Sequence, residues 1–137
     1  MSARILVVDD EKSVCRFVSR ALTSDGYKVD TAYSAATALE KFDAGETFDL
    51  VVSDVRMPSL SGPRFVEQLR RMGSDAKVLY LTGYNDQLFS ERHNALWADE
   101  AFLDKPCTVK GLLESVALML YGHLTPPSSS SSHERKH

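Results

Sequence analysis

The chain has few of the features that would assign it to a special class. Lysine and arginine number 16 against 19 aspartates and glutamates in 137 residues, a formal net charge of −3. Without a basic excess, a nucleic-acid-binding domain is not expected. The longest apolar run is Val116 to Tyr121, too short to cross a bilayer. The first residues, Met-Ser-Ala-Arg, carry no apolar stretch, so no secretory signal is expected and the cytoplasm is the expected compartment. The two cysteines, Cys15 and Cys107, lie far apart and match neither a disulfide framework nor a zinc pattern. No Gly-x-x-x-x-Gly-Lys-Ser/Thr run and no Gly-x-Gly-x-x-Gly run is present, which argues against a nucleotide-binding domain.

What is present is an ordinary globular composition, 43% hydrophobic and 26% charged, in a length that suits one domain with its own core. Five strand-like segments stand out, at residues 4–8, 28–32, 49–53, 77–81 and 100–103. The first, third and fourth are nearly all apolar, as strands covered on both faces of a parallel sheet must be. The second alternates and is expected at an edge. Helical periodicity fills the gaps. Val14, Phe17, Val18, Ala21 and Leu22 form one stripe, and Val109, Leu112, Leu113, Val116, Ala117 and Leu120 form another. Shorter helices are predicted over 35–42 and 65–72, and the weakest over 88–96. Gly26 suits the end of the first helix, and Pro63 the start of the third. The pattern is (βα)5: an α/β fold with a doubly wound, parallel, five-stranded sheet.

Periodicity stops after Gly122. Residues 123–137, with two prolines, five serines and His133 and His137 among charged neighbours, are expected to form a flexible tail or linker after a domain at 1–122. Two histidines in such a setting do not make a metal site.

The polar residues that follow each strand carry the functional signal. Asp9, Asp10 and Glu11 follow the first strand, Asp54 the third, Thr82 the fourth, and Asp104, Lys105 and Pro106 the fifth. In an open α/β sheet these carboxyl ends form the ligand crevice. Carboxylates crowded together repel unless a cation joins them. The set contains no cysteine or histidine, so a hard ion with oxygen ligands, Mg²⁺ rather than Ca²⁺, is expected. Mg²⁺, an ammonium and a hydroxyl suit a phosphoryl group, and a carboxylate facing that pocket can attack phosphorus.

These residues resemble the receiver domain of two-component signalling. The resemblance rests on Ile-Leu-Val-Val-Asp9-Asp10-Glu11, Val-Val-Ser-Asp54-Val-Arg-Met57-Pro58 with Gly62, Leu-Thr82-Gly83-Tyr84, and Phe-Leu-Asp-Lys105-Pro106, all in family order from about Arg4 to Tyr121. It implies a flavodoxin-like sheet of order 2-1-3-4-5. It further implies Asp54 as phosphoacceptor, with Mg²⁺ held by Asp10, by Asp9 through water, by Asp54 and by the backbone carbonyl of Arg56. Lys105 would pair with the phosphoryl oxygen. Thr82 and Phe102 would be the switch residues, moving the face made by the helix over 88–96, the last strand and the last helix. A cis bond before Pro106 would aim Lys105. Phe102 stands where the family often has Tyr, so a hydroxyl is lost there. Arg56 and Tyr84 stand where hydrolysis of the aspartyl phosphate is tuned. Cys107 is read as a small apolar filler and Trp97 as a partly buried anchor.

The implied partners are a histidine kinase or histidine phosphotransfer protein, with a downstream effector or the other domains of a parent hybrid kinase. The implied activity is self-catalysed phosphorylation and dephosphorylation of Asp54 in the service of signalling. A docking-only pseudo-receiver would be expected to lack part of the acidic set. A dehalogenase-type phosphatase would need a second aspartate where Arg56 stands.

Overall fold

The computed structural model describes residues 3–83, 100–105 and 107–122. The helix predicted over 88–96, Tyr84, Trp97, Pro106 and the segment from 123 onward lie outside the described residues.

Five strands form one sheet: β1 (Arg4–Val8), β2 (Lys28–Ala32), β3 (Leu50–Asp54), β4 (Lys77–Thr82) and β5 (Glu100–Asp104). The order is β2-β1-β3-β4-β5, and each neighbouring pair is parallel. The flavodoxin-like fold expected from the sequence is the one observed. β1, β3 and β4 are the apolar runs, and nearly every residue in them is buried. β2 is an edge, as its alternation indicates. β5 is the other edge and only half-buried. The helices described are α1 (Lys12–Ser24), α2 (Ala35–Asp43), α3 (Gly62–Arg71) and α4 (Val109–Tyr121).

The period-two alternation of each central strand builds two separate cores. Leu6, Val8, Val51, Val78 and Tyr80 pack with Phe65, Val66 and Leu69 of α3 and Ala35 and Ala38 of α2. Ile5, Val7, Val52, Leu79 and Leu81 point the other way, onto Val18 and Leu22 of α1 and Leu112 and Val116 of α4. Burial of these side chains, at about 25 cal/mol per Å² of apolar surface, is the main force holding the layers together. Three of the four described helices have starts specified by a side-chain cap, and α1, which begins after Glu11, has none. Ser34 Oγ accepts the Thr37 N–H at 3.1 Å, Ser61 Oγ the Arg64 N–H at 3.4 Å, and Thr108 Oγ1 the Gly111 N–H at 2.9 Å. α1 ends where predicted, with Gly26 at φ +98° immediately after its cap.

Candidate functional site

Because β1, β3, β4 and β5 run in the same direction, their carboxyl ends deliver polar residues to one edge of the sheet. Asp54 is the last residue of β3. Its apolar predecessors draw it inward, so the residue is only 6% exposed. The backbone around it is tied on both sides. Val55 N–H donates to the Leu81 carbonyl at 3.2 Å, and Gly62 N–H donates to the Val55 carbonyl at 2.9 Å. The Lys105 N–H donates to the Thr82 carbonyl at 2.7 Å, which fixes the end of β5 against the end of β4.

Lys105 reaches back over this edge. Its Nζ lies 3.2 Å from Asp54 Oδ1, 3.6 Å from Asp9 Oδ2 and 3.9 Å from Glu11 Oε1. Burial works against the ammonium, but the carboxylates of Asp54 and Asp9 outweigh it and hold the Lys105 pKa above its ordinary value. The acids respond in the opposite sense. Burial, reinforced by the charges of Asp54 and Asp10, pushes Asp9 up to about 6, although the Glu11 N–H and Lys105 oppose it. Burial likewise raises Asp54, with Lys105 and the Arg56 N–H opposing.

Asp9 is fully buried and only half satisfied. Its Oδ1 accepts the Glu11 N–H at 2.9 Å, while its Oδ2 is buried with no hydrogen-bond partner among the described residues. The Lys105 ammonium 3.6 Å away pairs with this oxygen by charge but is too far to hydrogen-bond it, so the oxygen keeps capacity for a further ligand. Asp9, Asp10 and Asp54 each offer an oxygen, all within 4.8 Å of one another, and no His or Cys belongs to the group. An all-oxygen, net negative donor set around a buried oxygen with no hydrogen bond fits a hard divalent cation such as Mg²⁺.

The residues anticipated from the sequence are thus brought together: Asp9, Asp10, Asp54, Thr82 and Lys105 share one edge. Arg56 joins through its backbone, donating its N–H to the Asp54 carboxylate while its side chain is exposed. Phe102 sits farther down β5, half-buried, with its ring stacked on Tyr80 at 5.4 Å between centroids. Cys107 packs against the α1 and α4 core, as a small apolar residue would.

Four residues make contacts that sequence reasoning does not assign, although Asp104, Glu11 and Cys15 are themselves named in it. Asp104 accepts the Thr82 hydroxyl at 3.0 Å. Tyr80 is the surface against which Phe102 stacks. Both follow from the β4–β5 register, in which Tyr80 faces Phe102 and Thr82 faces Asp104. Aligning the two strand ends would have found them. Glu11 was grouped with the acids but not paired with Lys105. Cys15, buried in the first turns of α1, donates its S–H to the Asp9 carbonyl at 3.3 Å, and no sequence pattern signals this.

The sequence model of the response regulator receiver domain family matches residues 5–117. Over 120 residues the chain is 40% identical to the sensor kinase CckA of Brucella abortus, covering 87% of this chain and 13% of that protein. It is 39% identical to the response regulator MprA of Mycobacterium ulcerans, covering 88% of this chain and 51% of the relative. The chain therefore spans about half or less of the length of these relatives. Among solved structures it is similar to the chemotaxis response regulator CheY4 of Vibrio cholerae, with TM-score 0.76, 31% identity and coverage of 88% and 100%. It is also similar to the receiver domain of the hybrid histidine kinase CckA, with TM-score 0.70, 30% identity and coverage of 85% and 98%. No helix among the described residues is long and apolar enough to cross a membrane.

Proposed function

We propose that this chain, which belongs to the response regulator receiver domain family, takes a phosphoryl group onto Asp54 from a phosphohistidine of a kinase or phosphotransfer partner and changes its docking face in response. The observation that carries the reading is the Lys105 ammonium 3.2 Å from a buried Asp54 carboxylate that also has Asp9 and Asp10 within ligand reach. In the transfer, an Asp54 carboxylate oxygen forms the new bond to phosphorus as the phosphorus–nitrogen bond breaks, and the electron pair returns to the imidazole nitrogen.

Each residue then has a defined task. Lys105 holds Asp54 in place and presents positive charge to the incoming phosphoryl oxygens. The Arg56 N–H orients the same carboxylate. Thr82 supplies a hydroxyl that can turn to a phosphoryl oxygen, and Phe102, two residues before Asp104 on the same face of β5, follows it. Asp9, Asp10, Asp54 and the backbone carbonyl of Arg56 would hold Mg²⁺, which when bound neutralises the phosphoryl charge that these acids would otherwise repel. The complete acidic set speaks against a docking-only role.

Intact-mass measurement after incubation with acetyl phosphate tests the assignment. One phosphoryl adduct on the wild type, dependent on Mg²⁺ and absent from Asp54→Asn, is expected. An equal adduct on Asp54→Asn, or none on the wild type with donor and Mg²⁺ present, would overturn it.

A further inference from the structure

We propose that Asp104 is a positioning residue that latches Thr82 in the resting state, competing with a phosphoryl group on Asp54 for the single proton of the Thr82 hydroxyl. The consequence for switching rests on the Asp54 reading above, but the latch itself does not.

Thr82 ends β4, is 1% exposed, and faces Asp104 across the β4–β5 ladder. Its Oγ1 donates to Asp104 Oδ1 at 3.0 Å. A threonine hydroxyl has one proton to give, and a carboxylate is among the strongest acceptors a protein offers. While that proton points at Asp104 it cannot point at a phosphoryl oxygen. The backbone of the same residue accepts the Lys105 N–H at 2.7 Å. Thr82 therefore joins β4 to two successive residues at the end of β5, one through its side chain and one through its carbonyl. Turning the hydroxyl towards the phosphoryl site releases the first of these ties.

Among the described residues, the Thr82 hydroxyl is the polar side chain that the Asp104 carboxylate meets. Asp104 is exposed, and among the described residues it forms no ion pair. The next pair on the same face, Tyr80 against Phe102, lies two residues back along both strands, so the latch sits beside the aromatic pair that would have to move with Thr82. The bond is partly solvated, so its removal should favour the switched state by a moderate factor, about 3-fold to 10-fold.

The test compares wild type, Asp104→Ala, Asp104→Val, Thr82→Ala and the double variants. Three-bond couplings to the Thr82 methyl carbon report its side-chain rotamer without any phosphoryl chemistry. They should show Thr82 in one well in the wild type and redistributed in both Asp104 variants. Binding of beryllium trifluoride with Mg²⁺, a mimic of the acyl phosphate, should tighten by about 3-fold to 10-fold in the Asp104 variants. In the Thr82→Ala background the same substitutions should have no effect on that binding, because a double-mutant cycle isolates the pair. Unchanged Thr82 couplings in the Asp104 variants would overturn the latch. So would an affinity gain that persists without Thr82, since a merely structural effect would survive that change. A wild type that binds no beryllium trifluoride would sink the Asp54 reading, and the couplings would still decide the latch. Asp104→Val keeps the test open if the alanine variant folds poorly, because valine suits a strand and has no acceptor.

Discussion

Gly62 lies directly against the backbone carbonyl of Asp54, and a Cβ at Gly62 would collide with that oxygen and come within 3.3 Å of Ser53 Oγ. The obstacle is space and not backbone conformation, since Gly62 has no positive φ. Neither neighbour can give way cheaply, because Asp54 and Ser53 are backbone-paired in the buried third strand. Gly62→Ala should therefore lower stability by about 1–3 kcal/mol, the usual cost of overpacking. It should also slow phosphoryl labelling, since the loop that folds over Asp54 must shift. Urea unfolding and intact-mass time courses measure the two effects. A variant as stable and as quickly labelled as the wild type would show that the loop has slack.

Most of the architecture was legible in the sequence because its signals were strong and local. Apolar runs at 4–8, 49–53 and 77–81 mark the central strands, and Gly26 and Pro63 mark a helix end and a helix start, whereas the caps at Ser34 and Thr108 are marked by no such signal. The site residues were legible because they follow strands, and strand ends converge in this fold. What could not be seen was anything set by register or depth. That Asp104 meets Thr82 depends on which β5 residue pairs with the end of β4. That Asp9 is fully buried while Asp10 is exposed depends on which of two adjacent aspartates turns inward. The Cys15 bond to the Asp9 carbonyl joins residues six apart around a turn, where no periodic pattern operates.

Cys15 and Cys107 should behave as two different thiols. Cys15 is 1% exposed, donates to the Asp9 carbonyl, and is pushed up to about 11 by burial and by the Asp9 charge. Cys107 is only half-buried, although burial raises its pKa as well. The thiolate is the reactive form, so exposure decides between them. Iodoacetamide at mildly alkaline pH should modify the native chain once, slowly, at Cys107. Cys15 should react only after unfolding in urea. Peptide mass mapping reads the sites, and labelling of Cys15 at the rate of Cys107 in the folded chain would contradict the burial described.

Ser59 carries a strain that glycine would relieve. It is the only non-glycine residue at positive φ among those described, at +72°, and the Leu60 N–H donates to the Pro58 carbonyl at 2.7 Å across it. That is a γ-turn of the rarer, strained kind. The side chain is exposed, so little contact is lost on removing it. Ser59→Gly should raise stability by up to about 1 kcal/mol, net of the extra freedom gained by the unfolded chain. Ser59→Val should lower it, because a β-branched residue fits positive φ worst. The urea midpoints should rank glycine above serine above valine, and the reverse order would show that the turn is not strained.

The buried Asp9 carboxyl gives the pH dependence its sign. Burial first, and then the neighbouring carboxylates, push Asp9 from 3.8 to about 6 in the folded chain. The folded state thus binds more protons than the unfolded state between those two values. With metal chelated, stability should fall as pH rises from about 4 to about 6 and level off above, by up to about 3 kcal/mol from this residue alone. Lys105 does not produce this slope. Its raised pKa gives a contribution that is fully present below its ordinary value near 10.5 and is lost only in alkali. Asp9→Asn removes the titrating group, so its stability curve over the same window should be flatter than the wild type's. Mg²⁺ competes with protons for the same oxygens and should raise the melting temperature more near pH 7.5 than at pH 4.5. Most of that gain should vanish in Asp9→Asn. Equal slopes for wild type and Asp9→Asn, with Mg²⁺ stabilising both alike at both pH values, would mean that Asp9 is neither the titrating acid nor a ligand.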